Sequence, residues 1–466
     1  MTFVSITTCV IAGCGVIQAQ AVNSRDTVFY RGRGAILPSF PQCSRALPTF
    51  GRLRQANNHQ PKTMNRRQFL ISSAVASTLP LSVFAQQPTT NTQKLQAFFK
   101  EPIIIENIEL LRADGWKPER GYFVRVTAKG YPPYTMPANN RMFLMRDLML
   151  GLVVPYFIGK DARELEALVE GVYRTGSNYK FCGMPFWNCV GHVENAVLGL
   201  LGTVAQKPVA ALFGEVLRRE TPVYVTTFDR ENAPEVYIEN VQKKMAEYGT
   251  NAVKIKVGGR MKAGSAGRDE KMIPAFRKAL GDSATLYADA NGSFNDFSEA
   301  VSICKRLYDA GFAHLEEPCE FREFELTKRI TAASKLPIAG GEQDTNLPQF
   351  RRMIQQKMVD IIQPDVMYAG GFMRVLKIAE MAASVGMTIS PHSPRVAHNH
   401  AVMLHVIAIT PNISKYQEFQ SDNYMKDVVT PVLEVKNGVM PIPLGAGWGV
   451  ELDSAFVSTL KKVDVM

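Results

Sequence analysis

Ala252-Val253-Lys254-Ile255-Lys256-Val257 is a short run of β-branched and small apolar residues carrying two lysines two positions apart. Such a run reads as a strand. Side chains two apart on a strand share a face, so Lys254 and Lys256 point the same way. The flanking Val253, Ile255 and Val257 turn that face inward, although a Lys-x-Lys pair is also common on protein surfaces.

The pattern recurs outward from this stretch at residues 285–289 (TLYAD), 314–317, 336–342, 359–365 (VDIIQPD), 387–392 (MTISPH) and 415–419, and residues 221–228 supply an earlier strand. Lys256, Asp289, Glu316, Glu342, Asp365 and His392 stand at the ends of these runs, at intervals of 33, 27, 26, 23 and 27 residues, and Glu418 follows 26 further on. A strand, loop and helix average about 31 residues in a barrel of about 250. Helical periodicity fills the gaps, for example over residues 296–309 and 373–383. The chain therefore predicts a parallel α/β barrel, in which residues far apart in sequence meet around one cavity at the strands' C-terminal ends.

Outside the barrel, residues 216–430, the sequence divides further. Residues 101–215 predict an α+β capping domain: two short strands around Asp114-Gly115-Trp116, a polar loop at 131–140, then helices over 146–154, 162–173 and 190–202. The Gly115-Trp116 turn and the loop at 132–141 read either as a lid over a ligand or as ordinary surface. Tyr131, Tyr134, Asn139, Asn140 and Arg141 offer the loop hydrogen-bond donors for a ligand, or are only a polar loop. The Gly- and Pro-rich segment 431–466 predicts a return to the cap.

The first 85 residues read as leader. Asn65-Arg66-Arg67-Gln68-Phe69-Leu70 and the apolar run after it resemble a twin-arginine signal over 64–85, ending in Val83-Phe84-Ala85, which predicts export to the periplasm. Residues 1–63 read as untranslated or disordered, with Met64 as the start. They carry seven Lys/Arg against one acid, Asp26; with Arg66 and Arg67, eight of the ten net positive charges lie in the leader. The basic balance is thus no sign of nucleic-acid binding. No apolar stretch of about 20 residues follows Ala85, which argues against a membrane anchor in the mature chain. Cys182 and Cys189 could pair in an oxidising compartment or remain buried thiols.

Asp289, Glu316 and Glu342 supply hard oxygen ligands from three successive strands with no neighbouring Cys or His, the set that suits Mg2+, although any one of them could instead pair with a barrel Lys or Arg. A divalent ion there would stabilise the charge that develops when the carbon beside a carboxylate loses its proton. Lys256, next to Lys254, is a candidate base because like charge favours a neutral lysine. Asp365 and His392, on neighbouring strands, form a candidate dyad in which the carboxylate fixes the imidazole tautomer. His398, His400 and His405 read as helix or core residues.

With these residues in hand the chain resembles the enolase superfamily, mandelate racemase subgroup, from residue 103 to the C-terminus. The resemblance rests on Lys254-Ile255-Lys256, Asp289-Ala290-Asn291, Glu316-Glu317-Pro318, Gly341-Glu342, Gln363-Pro364-Asp365, Ser390-Pro391-His392, Tyr416-Gln417-Glu418 and the closing segment from Gly447 to Asp453. Lys or His bases working with magnesium are the known chemistry of this superfamily, so that pairing comes with the resemblance and not from spacing. The resemblance implies a modified (β/α)7β TIM-type barrel with an N-terminal α+β cap completed by the C-terminal tail. It implies one Mg2+ per subunit on Asp289, Glu316 and Glu342, with Lys256 and His392/Asp365 as acid/base catalysts, Glu418 holding the enediolate oxygen and Asn291 contacting metal region or substrate. It further implies a homo-oligomer, often an octamer. The expected reaction is dehydration of an acid sugar to a 2-keto-3-deoxy acid, with racemisation, epimerisation or cycloisomerisation as the alternative. One departure is visible in the cap's last helix, which reads Glu194-Asn195-Ala196-Val197-Leu198-Gly199-Leu200 where family members often carry an Ala-Leu-Trp-Asp-like run.

Overall fold

The structure, a computed structural model, describes residues 90–262, 264, 267–392, 397–420 and 424–464. The leader and the twin-arginine segment lie outside them. Three antiparallel strands, β1 (Ile105–Arg112), β2 (Tyr122–Ala128) and β3 (Tyr134–Pro137), form the cap sheet, with Leu110 opposite Val124 and Val124 opposite Met136. The segment at 131–140 is therefore partly strand, because β3 extends the sheet from β2. Helix Met184–Val204 packs on this sheet and is buried on every side from Phe186 to Gly202. It lies between the cap sheet and the barrel loops, with its buried polar side chains, such as Glu194 and Asn195, hydrogen-bonded to the barrel segment at 367–373. The helix expected over 146–154 is divided: Met142–Leu148 passes through a wide turn at Met149–Val153 into Val154–Phe157, which has a proline in its first turn.

The barrel follows. Its strands are β4 (Glu220–Thr226), β5 (Ala252–Lys256), β6 (Thr285–Asp289), β7 (His314–Glu316), β8 (Ile338–Gly340), β9 (Ile361–Ile362), β10 (Thr388–Ile389) and β11 (Gln417–Phe419). They pair in parallel in the order β10-β9-β8-β7-β6-β5-β4-β11. Ile389 closes the ring: its N–H donates to Asn412 O (2.9 Å), and its carbonyl accepts from Ser414 N (2.9 Å) on the approach to β11. Among the described residues seven helices connect the eight strands, giving the (β/α)7β plan. Local signals start and stop them. Asp296 and Asn346 accept N–H groups of Glu299 and Gln349 at helix N-termini, and Gly249, at φ 62°, ends Pro234–Tyr248.

The C-terminal segment visits the barrel before the cap. β12 (Val429–Thr430) pairs with β14 (Glu451–Leu452); β13 (Val439–Pro441) runs antiparallel to β4; and β15 (Lys461–Lys462) adds to the edge of β1. Trp116 stacks on Phe456 at 5.2 Å, and Trp448 Nε1 donates to Asn195 O at 2.9 Å. Cys182 and Cys189 are free thiols. Among the described residues no helix is long and apolar enough to cross a membrane.

Candidate active site

Register brings the strand-end residues together. Lys256 is the ladder partner of Asp289, and Asp289 of Glu316. Lys254 and Lys256 share the inward face of β5 and are both buried. The Lys254 ammonium lies 2.9 Å from each oxygen of Glu316 and 2.8 Å from Glu418 Oε1. Lys256 Nζ donates to Asp289 Oδ2 and, at 3.2 Å, to Asn291 Oδ1. Asp289 Oδ1 accepts the Asn291 N–H at 2.8 Å, in a turn that puts Asn291 at φ 43°. Burial opposes the charge on Lys254, but Glu316 and Glu418 outweigh it and hold its pKa well above the usual lysine value. The like-charge expectation for the Lys pair omits these carboxylates, which lie across the barrel and not along the strand.

The dyad residues sit on the neighbouring ends of β9 and β10. His392 Nδ1 is 2.8 Å from Asp365 Oδ2; Asp365 Oδ1 accepts the N–H groups of Met367 (2.8 Å) and Tyr368 (3.0 Å). An ionised carboxylate only accepts, so Nδ1 carries the proton. His392 Nε2 faces Glu342 Oε2 at 3.2 Å and Glu418 Oε2 at 3.7 Å. Burial works against the imidazolium, yet Glu342, Glu418 and Asp365 together raise His392 to about 9. Burial raises and Lys254 then His392 lower Glu418, which ends near 2.

These groups open into a cavity of about 610 Å³, within the range of small-molecule sites. Lys256, Asp289, Asn291, Glu342, His392 and Glu418 line its floor; Asn139, Asn140, Arg141, Lys117 and Arg120 close it from the cap. The Arg141 guanidinium stands over the Tyr368 ring, 5.3 Å from its centroid. Tyr131 and Tyr134 do not line the cavity, contrary to expectation. Tyr131 is exposed, and Tyr134, on β3, packs over Gly199 and beside Gly447.

A profile of the family described as enolase C-terminal domain-like matches residues 236–456. The D-galactarolactone cycloisomerase of Agrobacterium fabrum is 28% identical over 66% of this chain and 83% of its own length. The arabinonate dehydratase of Saccharolobus solfataricus is 25% identical over 64% and 78%. The solved structure of a proposed racemase from Roseobacter denitrificans superposes with a TM-score of 0.71 at 28% identity, covering 77% of this chain and 99% of that one. These matches support the enolase superfamily, mandelate racemase subgroup, as the group this chain resembles.

In the enolase superfamily frame, the expected metal ligands are adjacent but their oxygens do not converge. Asp289 faces Lys256, Glu316 faces Lys254 and Gln363, and Glu342 faces His392; among the described residues no three acids, histidines or cysteines form a ligand group. Basic side chains supply the compensating charge in this arrangement. The residues nonetheless fit a hard divalent cation. Glu317 Oε1 and Glu418 Oε2 are buried with no hydrogen-bond partner among the described residues. Burial, then Asp289 and Glu316, push Glu317 up to about 8; burial, then Glu317, Glu316 and Asp289, hold Glu342 well above the carboxylate range although His392 pulls it down. This crowding of buried carboxyls, which disfavours their charged forms, is what a dication would relieve.

Sequence reasoning missed several side chains of this site. Gln363 Nε2 donates to Glu316 Oε2 at 2.8 Å, and its signal was available: it lies two residues before Asp365, on the same face. Arg230, in the loop after β4, donates to Asn291 Oδ1 at 2.6 Å and to Gly258 O at 3.0 Å. Lys117 and Arg120 follow the Gly115-Trp116 turn read as part of a lid and line the cavity from the cap, but were not themselves singled out.

Proposed function

We propose that this protein removes the proton α to the carboxylate of an acid sugar and expels the β-hydroxyl, giving a 2-keto-3-deoxy acid. The observation that carries this reading is that Lys256 and His392, the latter backed by Asp365, enter one cavity from β5 and β10, three strands apart one way round the barrel and five the other. Two opposed groups can act on two faces of one substrate. Lys256 Nζ takes the α-proton, leaving an enediolate. His392 in its protonated form gives its Nε2 proton to the departing hydroxyl, so that water leaves as the C–O bond breaks; the enol product then takes a proton at C3 and becomes the ketone. Asp365 holds the imidazole and favours its charged form. Magnesium on Asp289, Glu316 and Glu342 would supply Lewis-acid stabilisation of the charge growing on the carboxylate, worth several kcal/mol.

Asn139, Asn140 and Arg141 offer donors for hydroxyl and carboxylate groups at the cap side. The cycloisomerase relative favours a second outcome from the same enediolate, isomerisation without loss of water. We also propose export by the twin-arginine route to the periplasm, on the Arg66-Arg67 motif, and assembly as a homo-oligomer.

Proton NMR in D2O of the full chain with Mg2+ and a panel of aldonic and aldaric acids tests the reading. Loss of the α-proton signal with appearance of a 2-keto-3-deoxy product is expected. Deuterium uptake without loss of water, or a ring-opened isomer from a lactone, would replace dehydration by the second outcome. No exchange with any member of the panel would overturn acid-sugar chemistry.

A further inference from the structure

The segment 365–371, between β9 and helix Phe372–Ala383, holds the dyad in place. The N–H of Tyr368, which donates to Asp365 Oδ1, belongs to the same planar peptide as the carbonyl of Met367. That carbonyl faces the cap. A Cβ built on Gly191, in helix Met184–Val204, would come within 2.7 Å of Met367 O and 3.1 Å of Gly371 N, so the cap helix presses its bare backbone against this peptide. Positions three and four residues on lie on the same helix face. There Glu194 accepts the N–H groups of Phe372 (2.7 Å) and Met373 (2.8 Å), while Asn195 accepts from Phe372 N (3.2 Å) and donates to Met367 Sδ (3.1 Å). One face of one cap helix therefore grips the segment along its length.

We infer that Gly191 is a positioning residue for the Asp365–His392 pair: its missing side chain lets the cap helix seat against the Met367–Tyr368 peptide and keeps the Tyr368 N–H aimed at Asp365. The peptide is rigid, so displacing its oxygen turns its N–H. A carboxylate that loses a backbone donor swings, and the imidazole bonded to its other oxygen follows. The effect on turnover rests on the proposed function; the effect on the geometry of the dyad does not.

The test uses the full chain with 15N-labelled histidine at one fixed pH. The His392 Nδ1–H proton, hydrogen-bonded to a carboxylate, resonates far downfield and is assigned by its disappearance in His392→Asn. In Gly191→Ala it is expected to move upfield or broaden away, although alanine is the better helix former. Gly202→Ala is the control, since its Cβ would meet Gly447 Cα at 2.8 Å, an equal clash away from the dyad segment; the resonance should stay in place there. Should Gly191→Ala fail to fold by circular dichroism, Glu194→Gln, which weakens the same grip without adding bulk, is expected to shift the resonance in the same direction. An unchanged resonance in folded Gly191→Ala, or in Glu194→Gln where that variant decides, overturns the proposal, as does an equal shift in Gly202→Ala. With a turned-over substrate, kcat should fall with little change in KM. Absence of turnover in the unaltered protein would count against the proposed function and leave the resonance test standing.

Discussion

Lys254 on β5 and Glu316 on β7 face each other across β6, the ammonium 2.9 Å from both carboxylate oxygens, with neither side chain reaching solvent. Removing one partner of a buried pair leaves the other charge uncompensated and costs about 3–5 kcal/mol. Lys254→Met is expected to lower the urea midpoint accordingly, and adding Glu316→Gln to recover part of the loss. A double variant less stable than the single one would show that the pair is not the source.

Lys256→Ala and His392→Asn are expected to reduce kcat by roughly 10²–10⁴-fold, the usual weight of a general acid or base. Each should spare proton exchange at the face served by the other. Solvent-deuterium incorporation into the two epimers of one substrate separates the faces; equal loss for both epimers in both variants would refute opposed catalysts.

His392 should titrate near 9 in metal-free protein, because Glu342 and Glu418 face its Nε2 and Asp365 its Nδ1. Magnesium taken up by Glu342 removes one of those charges and adds a repelling cation, so it should lower that value. A histidine titration by NMR with and without Mg2+ checks this. No movement on saturation would exclude Glu342 as a ligand.

His405 links stability to pH. Its Nδ1 accepts the Ala210 N–H at 3.1 Å and its Nε2 donates to Pro443 O at 2.8 Å, a neutral arrangement inside the protein. Burial lowers its pKa from 6.5 to about 4. Between those values the unfolded chain binds a proton that the native state does not, so stability is full above about 6.5 and falls as pH drops through about 4, by about 3 kcal/mol. Urea melts at neutral and acid pH should show this loss, reduced in His405→Gln, whose amide can accept and donate in the same places. An identical pH dependence in both proteins would sink the assignment.

Arg141→Gln should raise KM for a sugar acid about tenfold, the worth of a hydrogen bond to a charged group, while Tyr131→Phe should leave kcat and KM unchanged because Tyr131 lies outside the cavity. Steady-state kinetics decide; the reverse ranking would move the specificity loop back to 131–134.

The barrel was legible because each buried parallel strand is an apolar run, and the polar residue that ends it stands at the barrel mouth. Ile361–Ile362 and Thr388–Ile389 show the limit of that reading: seven- and six-residue expectations shrink to two paired residues, since the ladder stops before the functional side chains leave the strand direction. Contacts across the barrel were not legible. Spacing along the chain puts Lys254 beside Lys256, whereas its partners Glu316 and Glu418 are 62 and 164 positions away. Tyr134 failed for a related reason: in a polar loop it would be a donor, but as part of β3 it turns toward helix Met184–Val204. Glu194 shows the same blindness from the other side, because nothing near it in sequence hints at amides 178 and 179 residues further on.

The pairing of β15 with β1, Leu111 opposite Lys462 and Arg112 opposite Lys461, has a consequence for biosynthesis. The cap is made first, yet one edge of its sheet waits for residues that emerge only after the whole barrel. Until then β1 presents unpaired backbone groups, the kind of edge that recruits other chains. A nascent polypeptide stalled within the barrel would carry this adhesive edge, so its solubility should depend on chaperones more than that of the finished chain.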